Sequence, residues 1–214
     1  MSVHINKTVL ITGASGVLGR QVANRFTNAG WNVTEDDTPN PLQAYGKSKY
    51  EAELVTQKIS QDHVILRVPL LYGEVENLEE NAVTILFKNI KNTTARVKMD
   101  DIQTRYPTYI GDVAEVCLQL CELRTKQNRN DVRGIFHFSG IAKYTKYQLA
   151  LVIASLFQLP IDHIERDQGT GANTNIQRPE NAALDSSKLS DQLGININRV
   201  NFETTIKRCL ESFI

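Results

Sequence analysis

Cysteine is scarce: the 214 residues hold three, Cys117, Cys121 and Cys209. An odd count without a CxxC pair excludes a disulfide framework and leaves reduced, buried thiols. Cys117 and Cys121 fall one helical turn apart, a spacing that can suit a metal, but Val116, Leu118 and Leu120 around them have the pattern of helix packing, and no metal is assigned. An excess of one charge is also lacking. Lys and Arg number 24 and Asp and Glu 24, so no overall field draws the chain to nucleic acid or an anionic membrane. There is no long apolar run to span a bilayer, and Met1 to Lys7 leads straight into an apolar strand, which predicts a cytoplasmic protein. Internal repeats are missing, and low complexity is confined to short polar loops. What remains, 41% apolar and 22% charged, is enough for one good-sized core, or one core and a smaller lobe.

The elements follow from periodicity. Lys7 to Ile11 is an apolar, β-branched run ending in glycines, the form of a buried parallel strand, and Arg20 to Asn28 has the pattern of its helix. Ala29-Gly30 closes that helix, and Trp31 to Thr34 starts a second strand. Glu35 to Pro41, acidic with two prolines, predicts a surface loop. From Tyr45 to about Ile59 the spacing of Ala52, Leu54, Val55 and Ile59 is helical, and Val64 to Leu71 follows as a strand, one more strand-and-helix layer. Asn77 to Lys91 places Leu78, Ala82, Val83, Leu86, Phe87 and Ile90 on one stripe, and Asp112 is placed to cap a helix carrying Val113, Val116, Cys117 and Leu120. Gly134 to Phe138 alternates as a strand, and Thr145 caps a helix with Leu149, Ile153 and Leu156 inward. Gln168 to Asn175 is a polar loop, and a last helix from Asn201 buries Phe202, Ile206, Leu210 and Phe213.

Two motifs carry chemistry. Gly13, Gly16 and Gly19 in Thr12-Gly13-Ala14-Ser15-Gly16-Val17-Leu18-Gly19 fall after a strand and open a helix. Without side chains such a turn lets backbone N–H groups and the positive helix end approach a pyrophosphate; a tight strand-to-helix turn with no ligand is the alternative. The ribose reader of such a site lies about 20 residues on, where Glu35 and Asp36 stand in the proline loop and nothing basic is present to hold a 2′-phosphate. Tyr45 and Lys49, four apart on a helix, face one cleft. A nearby ammonium stabilises the phenolate of a tyrosine whose free pKa is ~10, suiting it to protonate a carbonyl that receives hydride. A YxxxK pair alone is a weak signal; after this glycine turn and before Arg67-Val68-Pro69-Leu70-Leu71-Tyr72-Gly73 it gains weight.

Together these residues resemble the extended short-chain dehydrogenase/reductase family and, within it, the dTDP-4-dehydrorhamnose reductase group. Leu71 to Thr84, Arg105-Tyr106-Pro107-Thr108, Asp112-Val113-Ala114, Phe136-His137-Phe138-Ser139-Gly140, Thr145-Lys146-Tyr147 and Gln177-Arg178-Pro179-Glu180-Asn181-Ala182 are similar to the regulatory (beta) subunits of methionine adenosyltransferase. The resemblance implies a reductase fold that binds NADP and attaches to the catalytic subunit making S-adenosylmethionine, without turning over a sugar. It implies that Gly13, Ser15, Gly16, Val17, Leu18 and Gly19 hold the cofactor phosphates, with Tyr45, Lys49 and Leu71 on the nicotinamide side.

Between Trp31 and Tyr45 the chain is too short for that family. The family carries several strand-helix pairs between the counterparts of Val33 and Thr38; at about 25 to 30 residues each, roughly 100 residues are missing. With them go the cofactor-reading end of the second strand, the cover of the adenine, and the Ser or Thr that completes the triad, for which Thr34 and Thr38 are poor substitutes. Tyr45 and Lys49 are then vestigial, and NADP binding is weak or lost. The expected fold is α/β: a reduced Rossmann-like parallel sheet, a truncated doubly wound fold, with a small C-terminal α/β substrate-binding-type lobe. The whole of 1–214 is expected to form a single NAD(P)-binding domain with the smaller lobe interleaved at roughly 74–110 and 140–200. If the strand at Val64 moves beside that at Val9 the sheet closes; otherwise apolar surface stays exposed and seeks a partner. Three readings follow: a non-catalytic regulatory subunit, an NADPH-dependent reductase of a nucleotide-linked 4-keto sugar, and a shortened inactive variant. His4, His63, His137 and His163 lack metal spacing. Arg105, Lys146 and Arg178 line an anion cleft or serve as ordinary paired charges, and Tyr106, Tyr144 and Tyr147 form a binding surface or pack internally.

Overall fold

Every strand ladder is parallel in the computed structural model, which describes residues 8–10, 32–34, 45–169 and 184–214, with 8–10, 32–34, 45–48 and 50 described through their backbone alone. β1 (Thr8–Leu10) pairs in parallel with β2 (Asn32–Thr34), with Thr8 opposite Asn32 and Leu10 opposite Thr34. α1 (Tyr45–Ile59) precedes β3 (Val64–Arg67), which pairs in parallel with β7 (Gly134–His137). β4 (Leu71–Tyr72) pairs with β6 (Thr108–Tyr109), and β5 (Val97–Asp100) with β8 (Ile164–Asp167), again in parallel. Parallel strands need crossovers, and these run through α2 (Thr84–Lys91), α3 (Ile110–Lys126) and α4 (Lys146–Phe157), while α5 (Ser187–Leu193) and α6 (Phe202–Leu210) follow the last strand. The architecture is α/β.

Two units divide the chain. The first holds the described residues up to Arg67, with Val113–Phe138 and Ser186–Ile197. Its buried side chains include Val113, Val116, Leu118 and Leu120 on α3, Phe136 and Phe138 at β7, and Leu189 and Leu193 on α5. Lys188 donates to the Ile135 carbonyl at 2.8 Å and lies over the Phe136 ring, seating α5 on β7. The second unit holds Val68–Asp112, the described part of Ser139–Asp185, and Asn198–Ile214. Its core is a continuous cluster of Tyr72, Leu86, Phe87, Ile90, Met99, Leu149, Ile153, Phe202, Ile206 and Leu210, with Tyr72 edge-on to Phe202 at 5.0 Å and Phe87 edge-on to Phe157 at 4.8 Å. Such aromatic geometry adds roughly 0.5–1.5 kcal/mol per pair beyond area burial.

Two helices begin at side-chain caps, the one at Thr145 as expected. Thr145 and Gln148 form a capping box, the Thr145 hydroxyl accepting from the Gln148 N–H while the Gln148 side chain accepts from the Thr145 N–H. Asn201 caps α6, whose inward stripe is Phe202, Thr205, Ile206, Cys209 and Leu210.

Other expectations are corrected. The strand expected over Val64 to Leu71 is two strands: Pro69 has no N–H to extend the first ladder, β3 ends at Arg67, and β4 pairs in the other unit. No ladder among the described residues joins β3 to β1. The stripe expected over Asn77 to Lys91 is a 3-10 turn, Leu78–Glu80, and a separate α2, because Asn77 caps the first while Asn81 Oδ1 accepts from both Val83 and Thr84 N–H at 2.9 Å and starts the second. Ala82 is exposed. Asp112 does not cap α3, which begins at Ile110; its carboxylate instead accepts from the Val200 N–H at 3.1 Å. Ala52, Leu54, Val55 and Ile59, expected inside a strand-and-helix layer, are exposed. Beyond Gly169 the polar loop lies outside the described residues.

Candidate functional site

The glycine turn itself, Gly13 to Gly19, lies outside the described residues, as do Glu35, Asp36, Thr38 and Arg178. What frames it is described. β1 ends just before it, and β2, in parallel register, begins after residue 31. A parallel ladder closed over 11–31 is the strand-crossover-strand unit that a phosphate-cradling turn requires.

Tyr45 opens α1 and Lys49 follows one turn later, so the two positions stack along the same side of the helix. Lys49 is exposed. One further turn on stands Glu53, a residue that spacing did not single out. Arg67, at the end of β3, forks onto it: Nε donates to Glu53 Oε1 at 2.7 Å and Nη2 bonds the other oxygen. That hydrogen bond from Arg67 holds the Glu53 carboxyl below its ordinary range against the opposing effect of burial, with further help from the Arg67 charge and His137. A bidentate, charge-assisted pair is directional, so the helix carrying Tyr45 and Lys49 is tied to the end of β3. Its only signal in the sequence was the arginine of Arg67-Val68-Pro69. Leu71 is half-buried in β4, in the second unit.

The second unit has its own polar centre. Tyr109 donates its hydroxyl to Glu74, at 2.9 and 3.0 Å from the two carboxylate oxygens, and Arg208 Nη2 reaches both Glu74 Oε1 and the Tyr109 hydroxyl at 2.9 Å. Burial pushes the Glu74 carboxyl up, but bonds from its own backbone N–H, Tyr109 and Arg208 outweigh this and hold it below the usual range. Burial and the Glu74 carboxylate push the Tyr109 phenol well above its ordinary value, so it donates a hydrogen bond and does not ionise. The cluster ties β4, β6 and α6 together, and its residues lie too far apart in the chain for local patterns to reveal.

The remaining expectations resolve along physical lines. Arg105 is a paired charge: its Nη1 bonds Asp100 Oδ2 at 2.7 Å and the Gln103 carbonyl at 2.8 Å, so it is not free to hold an anion. Tyr144 packs on Phe202 at 5.2 Å, and Tyr147 lies against the second unit's core. Burial raises the thiols of Cys117 to about 12, Cys121 to about 11 and Cys209 to about 12, which keeps them protonated and poor as ligands or nucleophiles. Among the described residues no group of three or more His, Cys, Asp and Glu is placed to hold a metal, and no helix is long and apolar enough to cross a membrane.

This arrangement, parallel ladders joined by helical crossovers, defines an α/β fold of the Rossmann-like type. Comparison bears this out: a solved dTDP-4-dehydrorhamnose reductase from Bacillus anthracis, in complex with NADP, superposes with a TM-score of 0.76 over 97% of this chain and 100% of that one, at 15% identity. The family profile described as RmlD substrate binding domain matches residues 32–214, and the chain belongs to that family. Among curated relatives, methionine adenosyltransferase 2 subunit beta of Mus musculus is 40% identical over 217 residues, covering 96% of this chain and 64% of that protein. A dTDP-4-dehydrorhamnose reductase of Aggregatibacter actinomycetemcomitans is 32% identical over 166 residues, covering 75% of this chain and 55% of that enzyme. The chain thus spans less than two thirds of the length of these curated relatives.

Proposed function

We propose that this chain is a non-catalytic regulatory subunit of the methionine adenosyltransferase beta type, in shortened form, acting in S-adenosylmethionine synthesis by attachment to the catalytic subunit. The observation that carries it is 40% identity across 96% of the chain to proteins named as that subunit. It is read as a cytoplasmic protein organised as one Rossmann-like domain, with a smaller lobe interleaved at roughly 74–110 and 140–200. The missing length is assigned to internal strand-helix units between Val33 and Thr38, a shortening that removes the triad hydroxyl and leaves Tyr45 and Lys49 without the third member of a proton-transfer set.

NADP fits this chain in outline, because the parallel β1–β2 ladder frames the glycine run. Gly13, Ser15, Gly16, Val17, Leu18 and Gly19 would hold its phosphates, with Tyr45, Lys49 and Leu71 toward the nicotinamide. Binding is weakened by the lost adenosine side. Cosedimentation of the full chain with a methionine adenosyltransferase catalytic subunit tests the main reading. A complex at micromolar concentrations is expected, and no association at those concentrations removes it.

A second reading, an NADPH-dependent reductase of a nucleotide-linked 4-keto sugar, draws on the 32% identity to a reductase and on the Tyr45 and Lys49 register. In it NADPH supplies hydride and Tyr45 the proton. Oxidation of NADPH with dTDP-4-keto-rhamnose, lost in Tyr45→Phe, would establish it over the first. If the chain shows neither activity nor association, it is an inactive shortened variant.

A further inference from the structure

The sheet formed by β3 and β7 has one edge occupied and one open. Its two strands are joined by bonds such as those from the Gly134 N–H to the His63 carbonyl at 2.7 Å and from the Phe138 N–H to the Arg67 carbonyl at 3.0 Å, with Ile65 opposite Ile135. In a parallel ladder successive residues direct their N–H and C=O alternately to the two sides, so His63, Ile65 and Arg67 face β7 while Val64 and Leu66 face away from it. On β7 the outward groups are those of Ile135 and His137, and there Lys188 donates to the Ile135 carbonyl at 2.8 Å. Beyond β3 nothing corresponds: among the described residues no ladder and no hydrogen bond reaches Val64 or Leu66 on that side. The strand is also poorly covered. Val64 is 41% exposed, and Ile65, Leu66 and Arg67 are only half-buried, although an apolar run in a parallel sheet normally lies inside.

Natural edge strands are defended by lysine, proline or a bulge. From Val64 to Leu66 this one carries none, and the charge that follows, Arg67, is engaged by Glu53. The open row holds donors and acceptors in equal number on two apolar residues, so its complement is an unbroken extended strand with apolar side chains at the same step of two. β3 itself meets that description. When two copies lie antiparallel about a two-fold axis at Ile65, the Val64 N–H of each donates to the Leu66 carbonyl of the other and the Val64 carbonyl accepts from that Leu66 N–H, twice over. Val64 of each then lies beside Leu66 of the other on one face. We propose that the open edge of β3 is a docking site for the same edge of a second copy, giving a continuous β7–β3–β3–β7 sheet across the two-fold axis. The axis uses each free edge once, so association stops at two copies. A four-residue strand buries far less than the roughly 800 Å² per partner of a stable interface, so the dimer is weak and reversible. The proposal rests on the backbone of this strand and stands apart from the functional reading above.

Sedimentation equilibrium of the full chain from about 10 to about 500 µM tests it, together with residue-resolved amide hydrogen exchange at about 50 and about 500 µM. The wild type is expected to pass from monomer to dimer within that range. The Ile65 and Arg67 amides, directed at β7, should be protected at both concentrations, and those of Val64 and Leu66 only at the higher. Val64→Pro removes an outward N–H at the first residue of the strand, a position where proline is tolerated, and leaves the ladder to β7 untouched. It should weaken association roughly tenfold or more, with a circular dichroism melt confirming that it is folded. Val64→Thr, which keeps both the N–H and the branched side chain, should stay within a few-fold of wild type. The wild-type exchange pattern decides the matter even where Val64→Pro fails to fold. A chain monomeric throughout, a dimer whose Val64 and Leu66 amides exchange as fast as in the monomer, or a folded Val64→Pro that associates as well as wild type, overturns the proposal.

Discussion

Gly140 comes so close to the start of β6 that a Cβ built on it falls 2.1 Å from the Pro107 carbonyl oxygen, while its N–H donates to Thr108 Oγ1 at 2.9 Å. Backbone on both sides leaves no flexible atom to yield. Gly140→Ala should therefore cost roughly 2–4 kcal/mol, read as a lower urea midpoint at unchanged slope. Asp112 tests the opposite kind of effect. Burial raises its carboxyl above the usual value, only partly offset by the Val200 N–H and the charge of Arg199. A carboxyl whose folded pKa is raised penalises the fold when ionised. The penalty is complete above that raised value and disappears below the unfolded one, near 4. Asp112→Asn keeps an oxygen for the Val200 N–H and removes the charge, so its Tm at pH 7.5 should equal or exceed wild type. The variant's advantage should shrink as pH falls toward 4, and a wild type more stable at neutral pH would contradict this account. At this scale the sequence shows what short spacing encodes and hides what distance encodes. That Tyr45 and Lys49 share one helix was legible because a single turn separates them. The Glu53–Arg67 fork and the Glu74, Tyr109 and Arg208 cluster were not, because only the fold brings those residues together.

Elements with strong local chemistry were the readable ones. Thr145 caps α4 in the sequence and in the structure, yet the structure adds a second role: its hydroxyl donates to Asp101, a carboxylate 4% exposed that is also bonded by Arg166. Thr145→Ala should then cost more than an ordinary cap, about 2 kcal/mol against roughly 1 kcal/mol for Asn201→Ala at α6, with Thr145→Ser close to wild type in the same denaturation series. Equal losses at Thr145 and Asn201 would show that the bond to Asp101 contributes nothing. The strands gave less away. β5 and β8 are four residues each, and Val97 and Met99 are half-buried and buried while Lys98 between them is exposed, an alternation too short to separate from loop. Their partnership joins Val97 to Ile164 across the whole of α3, β7 and α4, and local propensity carries no trace of it. The strand expected over Val64 to Leu71 ran through Pro69, where the apolar run concealed the break between β3 and β4.

For the whole molecule the decisive matter is how much of a dinucleotide site survives when strand-helix units are absent between β2 and α1. The phosphate half needs only the first crossover, and the parallel β1–β2 ladder provides its frame. The adenosine half needs a reader at the end of β2 and cover from the strands beyond. In this sequence Glu35 and Asp36 are followed at once by Pro39 and Pro41. NADP should therefore bind through its phosphates and little else. A ligand at 100 times its dissociation constant adds about 2.7 kcal/mol of stability, and each kcal/mol raises Tm by roughly 2–4 °C in a chain of this size. With phosphate contacts alone, thermal shift at about 100 µM NADP should be below roughly 1 °C. A shift of a few degrees should emerge only at millimolar NADP, and Gly16→Val, which fills the turn, should erase it. A rise of about 5 °C or more at 100 µM would mean that the adenosine side is intact, and the internal shortening would then have spared the cofactor site.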